Sequence, residues 1–130
     1  MKYRAWDTKF NSWINPKDVQ VNGLGQVFIF QDENLEWYED RIGQAKILKD
    51  TQLKDKNGKE IYEGDILAIN NISNIKYEVR FGNYEPYGSN ERQQGFYLYD
   101  DSDNSTIPLT ENYKIVGNIY ENPELLGGGK

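Results

Sequence analysis

The chain contains no histidine and no cysteine. Without an imidazole or a thiol there is no Ser-His-Asp or Cys-His nucleophile, no histidine metal site, no thiolate zinc site and no disulfide. What remains is carboxylate, lysine, tyrosine and hydroxyl chemistry. A cysteine-free chain fits a reducing compartment. Long apolar runs are missing too: none approaches the roughly 18 residues of a membrane span. The opening Met1-Lys2-Tyr3-Arg4-Ala5-Trp6-Asp7 puts charges where a signal peptide needs an apolar core. The expectation is a cytoplasmic protein without membrane contact, so the Asn-x-Ser/Thr triplets at Asn71 and Asn104 receive no glycan.

Positive charge is scarce. Fifteen Lys and Arg face 21 Asp and Glu, a net charge of -6, and no basic run offers a track for phosphates. The acidity is spread along the chain, with a local cluster at Asp100, Asp101 and Asp103. What is plentiful is aromatic surface: 14% of residues, ten of them Tyr, which supplies large buried areas from few positions in a chain only 37% hydrophobic. A chain of 130 residues is one domain or two small ones.

Apolar residues recur with a period of two, the spacing that lines one face of a strand. Ile75, Tyr77, Val79 and Phe81 fall on one face, and Lys76, Glu78 and Arg80 on the other. Similar runs lie at 2–6, 26–30, 35–38, 65–69, 95–100 and 113–120. Asn57-Gly58 predicts a type I′ hairpin between strands ending near Asp55 and starting near Lys59. Asn22-Gly23 and Gly82-Asn83 are weaker turn candidates. The charge-dense segment from Asp32 to Asp50 is compatible with partial helix, and Asn15-Pro16-Lys17-Asp18 with a short turn or helix. Asn122-Pro123 has the residues of an N-cap and a first helical position, with room for one turn before Gly127-Gly128-Gly129.

Three blocks carry a resemblance: residues 2–7, then Leu53-Lys54-Asp55-Lys56-Asn57-Gly58-Lys59-Glu60-Ile61-Tyr62-Glu63-Gly64-Asp65-Ile66, then Ile115-Val116-Gly117-Asn118-Ile119-Tyr120-Glu121-Asn122-Pro123-Glu124-Leu125-Leu126. In this order they resemble the YopX-like proteins of bacteriophages and prophages. The sequence departs from the family pattern at Gln52, where relatives usually carry Gly. The resemblance implies an SH3-like small β-barrel in the C-terminal part and a phage accessory role without an established activity. With the strand pattern it predicts a mainly β protein in which an N-terminal β region, residues 1–50, packs on an SH3-like barrel, residues 51–126, followed by a flexible tail, residues 127–130.

Candidate chemistry is sparse. Asp101-Ser102-Asp103-Asn104-Ser105 opens like a calcium loop, but Thr106 stands where the template needs Gly and Asn112 where it needs a bidentate Glu. Asp65 with Glu78-Val79-Arg80 approaches a restriction-type nuclease motif, but arginine replaces the lysine and does not readily release a proton. No carboxylate pair is singled out for glycoside hydrolysis, and Gly23-Leu24-Gly25 lacks the rest of a phosphate loop. No catalytic residue, metal ligand or cofactor is assigned.

The sharper signal is aromatic. Tyr84, Pro86, Tyr87, Tyr97 and Tyr99 form a candidate contact surface, since Tyr97 and Tyr99 point outward if Phe96 and Leu98 point inward. The competing reading packs these rings beneath the N-terminal region, which must itself bury Val27, Phe28, Ile29, Phe30 and Trp37. Trp6 and Trp13 read as packing residues. The expectation is a non-catalytic module that binds a host or phage protein, with nucleic acid disfavoured and homo-oligomerisation open. The alternatives are a carboxylate- and metal-dependent enzyme, or an acidic mimic of nucleic acid that blocks a host enzyme.

Overall fold

The computed structural model describes residues 2–31, 33–69, 75–86 and 88–126. The chain is mainly β and divides into two compact units, Met1–Lys49 and Asp50–Lys130. No helix among the described residues is long and apolar enough to cross a membrane.

In the first unit, β1 (Tyr3–Asp7) pairs antiparallel with β2 (Ser12–Ile14). The register puts Trp6 opposite Trp13, whose rings meet edge to face at 4.9 Å and 79°. Trp6 is buried, and the Arg4 guanidinium covers Trp13 at 4.4 Å. The β1–β2 turn is closed by Asp7, whose Oδ1 accepts from the Lys9 and Phe10 amides. After a 3₁₀ turn at Pro16–Asp18, capped by Asn15 Oδ1 on the Lys17 amide, comes a meander of β3 (Val19–Val21), β4 (Val27–Gln31) and β5 (Glu36–Glu39). Alternation buries Val19 and Ile29 on one of its faces.

The segment from Asp32 to Asp50 is not helical: among its described residues it holds β5 and the start of β6 (Ala45–Lys54), whose first half pairs with β1. Its charges are spread over β5, β6 and the turn between them, where Asp40 accepts from the Gln44 and Ala45 amides.

The second half of β6 pairs with β7 (Glu60–Tyr62) across Asn57-Gly58. The hairpin is where the sequence puts it, but the turn differs. Gly58 has φ +81° and Asn57 is not in the left-handed region, so the loop is a tight turn closed from the Gly58 amide to the Asp55 carbonyl, followed by one left-handed residue. The predicted strand from Lys59 to Ile69 is broken at Glu63-Gly64 into β7 and β8 (Asp65–Ala68), because Asp65 Oδ2 turns back to accept from the Tyr62 amide at 2.8 Å.

Five antiparallel strands complete this unit, in the order β11-β10-β9-β8-β12: β8, β9 (Tyr77–Tyr84), β10 (Gln93–Asp100), β11 (Ser105–Pro108) and β12 (Lys114–Asn118). They form a curled half-barrel compatible with the expected SH3-like barrel. Its core is Ile61, Leu67, Val79 and Leu98, all 0% exposed. Ile75 lies outside β9 and is exposed, whereas Gly82-Asn83, expected as a turn, continues the strand to Tyr84. A second 3₁₀ turn at Pro123–Leu125 follows Asn122. The Asn122 side chain does not cap it; its Oδ1 accepts from the Asn118 amide instead. The triplet at Asn71 and the glycine tail fall outside the described residues.

Candidate functional site

The face of β9 and β10 opposite the core carries Glu78, Arg80, Gly82 and Tyr84 on one strand and Gln93, Gly95, Tyr97 and Tyr99 on the other, by the register that pairs Gly82 with Gly95. Tyr84 and Tyr97, on either side of this glycine pair, stack at 4.7 Å with 22° between the rings, while a Cβ added at either glycine would meet nothing within 4 Å. Beside them the Arg80 guanidinium lies 3.8 Å over Tyr99 and bonds Glu78 at 3.0 Å, while the Tyr99 hydroxyl donates to Asn104. Burial lowers the Arg80 pKa, but the Glu78 carboxylate more than offsets it, so the guanidinium stays charged.

Of the five residues expected to form a contact surface, Tyr84 and Pro86 are therefore buried, Tyr97 and Tyr99 are half-buried, and Tyr87 lies outside the described residues. Tyr84 and Tyr97 stack on each other, the Tyr84 hydroxyl donates to Gln93, and Tyr99 is held between Arg80 and Asn104.

The nuclease-like residues do not converge. Ile66 is registered with Glu78, so the preceding Asp65 belongs to the opposite face of the sheet, where its carboxylate closes the β7–β8 turn. The calcium-like stretch is the β10–β11 turn, with Asp100 Oδ1 accepting from Ser102 and Asp103 Oδ1 from the Ser105 amide. Strand β11 begins at its last residue, Ser105, so the chain leaves the turn extended rather than wrapping an ion. Among the described residues no three acidic side chains gather as metal ligands would.

Sequence reasoning missed the more open surface, which belongs to the first unit. There Phe28, Phe30 and Trp37 share one face of the β3–β4–β5 sheet, with Phe30 directly opposite Trp37 and their rings 5.4 Å apart. Trp37 is 39% exposed. A cleft of about 470 Å³ runs between this pair and Asn15, Lys17 and Asp18 of the 3₁₀ turn. A second cleft, of about 400 Å³, is lined on the sheet side by Ile29, Phe30 and Tyr38 and on the β1–β2 side by Asp7, Lys9 and Phe10. Tyr38 is held neutral there: partial burial, then the Asp7 and Asp40 carboxylates, raise its phenol pKa. These aromatics read as core because nothing in a single sequence marks which face of a three-stranded meander is covered.

Comparisons with known proteins follow the same outline. The family model described as YopX protein matches residues 2–127. Two solved structures are similar over nearly the whole length. One is the crystal structure of protein EF1440 from Enterococcus faecalis, 23% identical, with a TM-score of 0.53 and 96% of each chain covered. The other is the X-ray structure of protein yopX from Bacillus subtilis, 18% identical, with a TM-score of 0.55 and 95% of this chain and 96% of that one covered. At these identities the likeness speaks to fold alone. No curated protein matches the chain.

Proposed function

The chain belongs to the YopX protein family, and from that premise we propose that it is a non-catalytic protein-binding module of a phage or prophage, working in the cytoplasm of the bacterial host. The contact surface is the aromatic face of the first unit rather than the tyrosine layer of the second. The observation that supports this most is Trp37: a large ring, 39% exposed, paired with Phe30 at the edge of a cleft with a polar rim. Exposed Trp beside a concave, mixed-polarity rim is the composition of protein contact sites, where a few aromatic anchors supply most of the affinity. The tyrosine layer is a weaker candidate because Tyr84 and Pro86 offer almost no free surface. A net charge of -6 without a basic stripe supports protein over nucleic acid.

The test is affinity capture from phage-carrying cells with the wild type, Trp37→Ala and the double variant Tyr97→Ala/Tyr99→Ala, each checked for an unchanged thermal midpoint. The expected result is a protein enriched by the wild type and the tyrosine variant and lost with Trp37→Ala. Recovery of the same protein by Trp37→Ala would reject this surface.

A further inference from the structure

Strand β5 is the last strand in the order β3-β4-β5, and Glu36, Trp37 and Tyr38 are exposed along it. Among the described residues no strand pairs with its outer row of backbone groups, which is therefore open to addition of another strand. Natural edges are blunted with short strands, charges, proline or a bulge. β5 has no lysine, proline or bulge; its protection is its length of four residues and a carboxylate at each end, Glu36-Trp37-Tyr38-Glu39, and a cation neutralises the second.

Building on the proposed binding role, we infer that the edge of β5 takes an extended segment of a partner protein that carries lysine or arginine. Charge selects this occupant. From Asp18 to Asp40 the chain has Asp18, Asp32, Glu33, Glu36, Glu39 and Asp40 and not one Lys or Arg. A second copy pairing antiparallel with β5 would bring two copies of Glu36 and two of Glu39 onto one short two-stranded edge, where like charges repel. A basic strand turns those contacts into attraction.

The rings select it as well. The chain seats its own cations on aromatic faces: Arg4 over Trp13 at 4.4 Å, Lys9 over Phe10 at 5.3 Å and Arg80 over Tyr99 at 3.8 Å. No cation of the described residues stands over Trp37, and Lys17, which lines the same cleft, has Asp18 beside it, so an incoming guanidinium still finds the ring without a cation on it. Arg41, with its side chain 82% exposed, already rests on Glu39 at 3.3 Å, which shows that this carboxylate accepts a cation; so exposed a pair is displaced at little cost.

The experiment uses the full chain and two capped eight-residue peptides, one alternating Arg with Val and one alternating Glu with Val, followed by fluorescence anisotropy at physiological salt. The wild type should prefer the Arg peptide by about tenfold or more, and the double variant Glu36→Lys/Glu39→Lys should prefer the Glu peptide. Amides of β5 should gain protection from hydrogen exchange when the Arg peptide binds. An Arg preference that survives the charge reversal places the binding elsewhere on an acidic chain and overturns the inference. So does a β5-dependent dimer in sedimentation, because the occupant is then a second copy. If Trp37→Ala abolishes partner capture while charge reversal changes nothing, the binding surface stands and the basic segment falls. If neither variant has any effect, both fall.

Discussion

Asp55 is 6% exposed and accepts three backbone hydrogen bonds: Oδ1 from Asn57 and Lys59, and Oδ2 from Ile115. Burial by itself raises its pKa, but the Ile115, Lys59 and Asn57 amides together outweigh burial and hold the carboxyl below its ordinary value. In Asp55→Asn the amide oxygen can still serve two of these donors, but the NH₂ group then faces a third N–H. The expected cost is about 1–3 kcal/mol at neutral pH, read as a lower urea midpoint. A depressed native pKa contributes stability that is fully present above the unfolded value and is lost as pH falls through the native one. The gap between wild type and variant should therefore close in acid. A gap that persists undiminished at the lowest pH where both still fold would remove Asp55 from this role.

Gln52 illustrates the opposite case, a residue at odds with its backbone. It sits at φ +67° in the irregular stretch of β6 between Asp50 and Lys54, with its amide bonded to Asp50 Oδ1. A side chain in the left-handed region costs about 1–2 kcal/mol, of which glycine's greater unfolded-state freedom returns part. Gln52→Gly should therefore stabilise the fold by roughly 0.5–1 kcal/mol in denaturant titration. Destabilisation would show that the Gln side chain makes a contact worth more than the strain. The departure from the family pattern thus keeps the turn and accepts its strain.

Among the elements, the C-terminal segment depends on a glycine for space rather than for φ. A Cβ built on Gly117 would lie 2.6 Å from Asn122 Oδ1 and 2.9 Å from Leu125 Cδ1. Asn122 is fixed there by the Asn118 amide, and Asn118 in turn accepts from the Tyr120 and Glu121 amides. Gly117→Ala should cost about 1–3 kcal/mol, and less in an Asn122→Ala background, where the nearer clash is gone and only the end of the flexible Leu125 side chain must move. Equal costs in both backgrounds would locate the crowding elsewhere.

The same elements show what a single sequence discloses. Strands β1, β4, β5, β8, β9, β10 and β12 fall on runs that the sequence marks by alternation, most plainly β9, where Val79 is buried between the half-buried Glu78 and Arg80. The longest, β6, was not legible: its buried positions Ala45, Leu48 and Thr51 fall three apart, a spacing that imitates a helix, and its register shifts near Gln52. Strand β11 was hidden by the carboxylates of the turn before it. Of the candidate site, the tyrosines were legible as a cluster. That Tyr84 stacks on Tyr97 across the Gly82–Gly95 pair depends on a cross-strand register that no local pattern carries.

At the scale of the whole molecule, the blocks that carry the family resemblance turn out to be joints. Asp7 closes one turn, Asp55 ties a hairpin to β12, Asp65 closes another turn, and Gly117 seats the C-terminal segment. Such residues specify a fold, which is why they identify the family without naming a partner. The missing histidine and cysteine carry a prediction at this scale. Between the carboxylates and the tyrosines the chain has no titrating side chain. Stability should hence form a plateau from about pH 5 to about pH 9. The acid edge is set by carboxylates held as Asp55 is. The alkaline edge is set by Tyr38, Tyr77, Tyr113 and Tyr120, whose pKa values burial raises first in each case. A raised native pKa means that the native state holds the phenolic proton more tightly than the unfolded chain. Its contribution is therefore complete below the unfolded tyrosine value of about 10 and is lost as pH rises through the native one. Thermal midpoints measured from pH 4 to 11 should trace this plateau with a fall at each end. A step between pH 6 and 8 would have to come from an α-amino group or from a carboxylate with a strongly raised pKa, and would break the plateau.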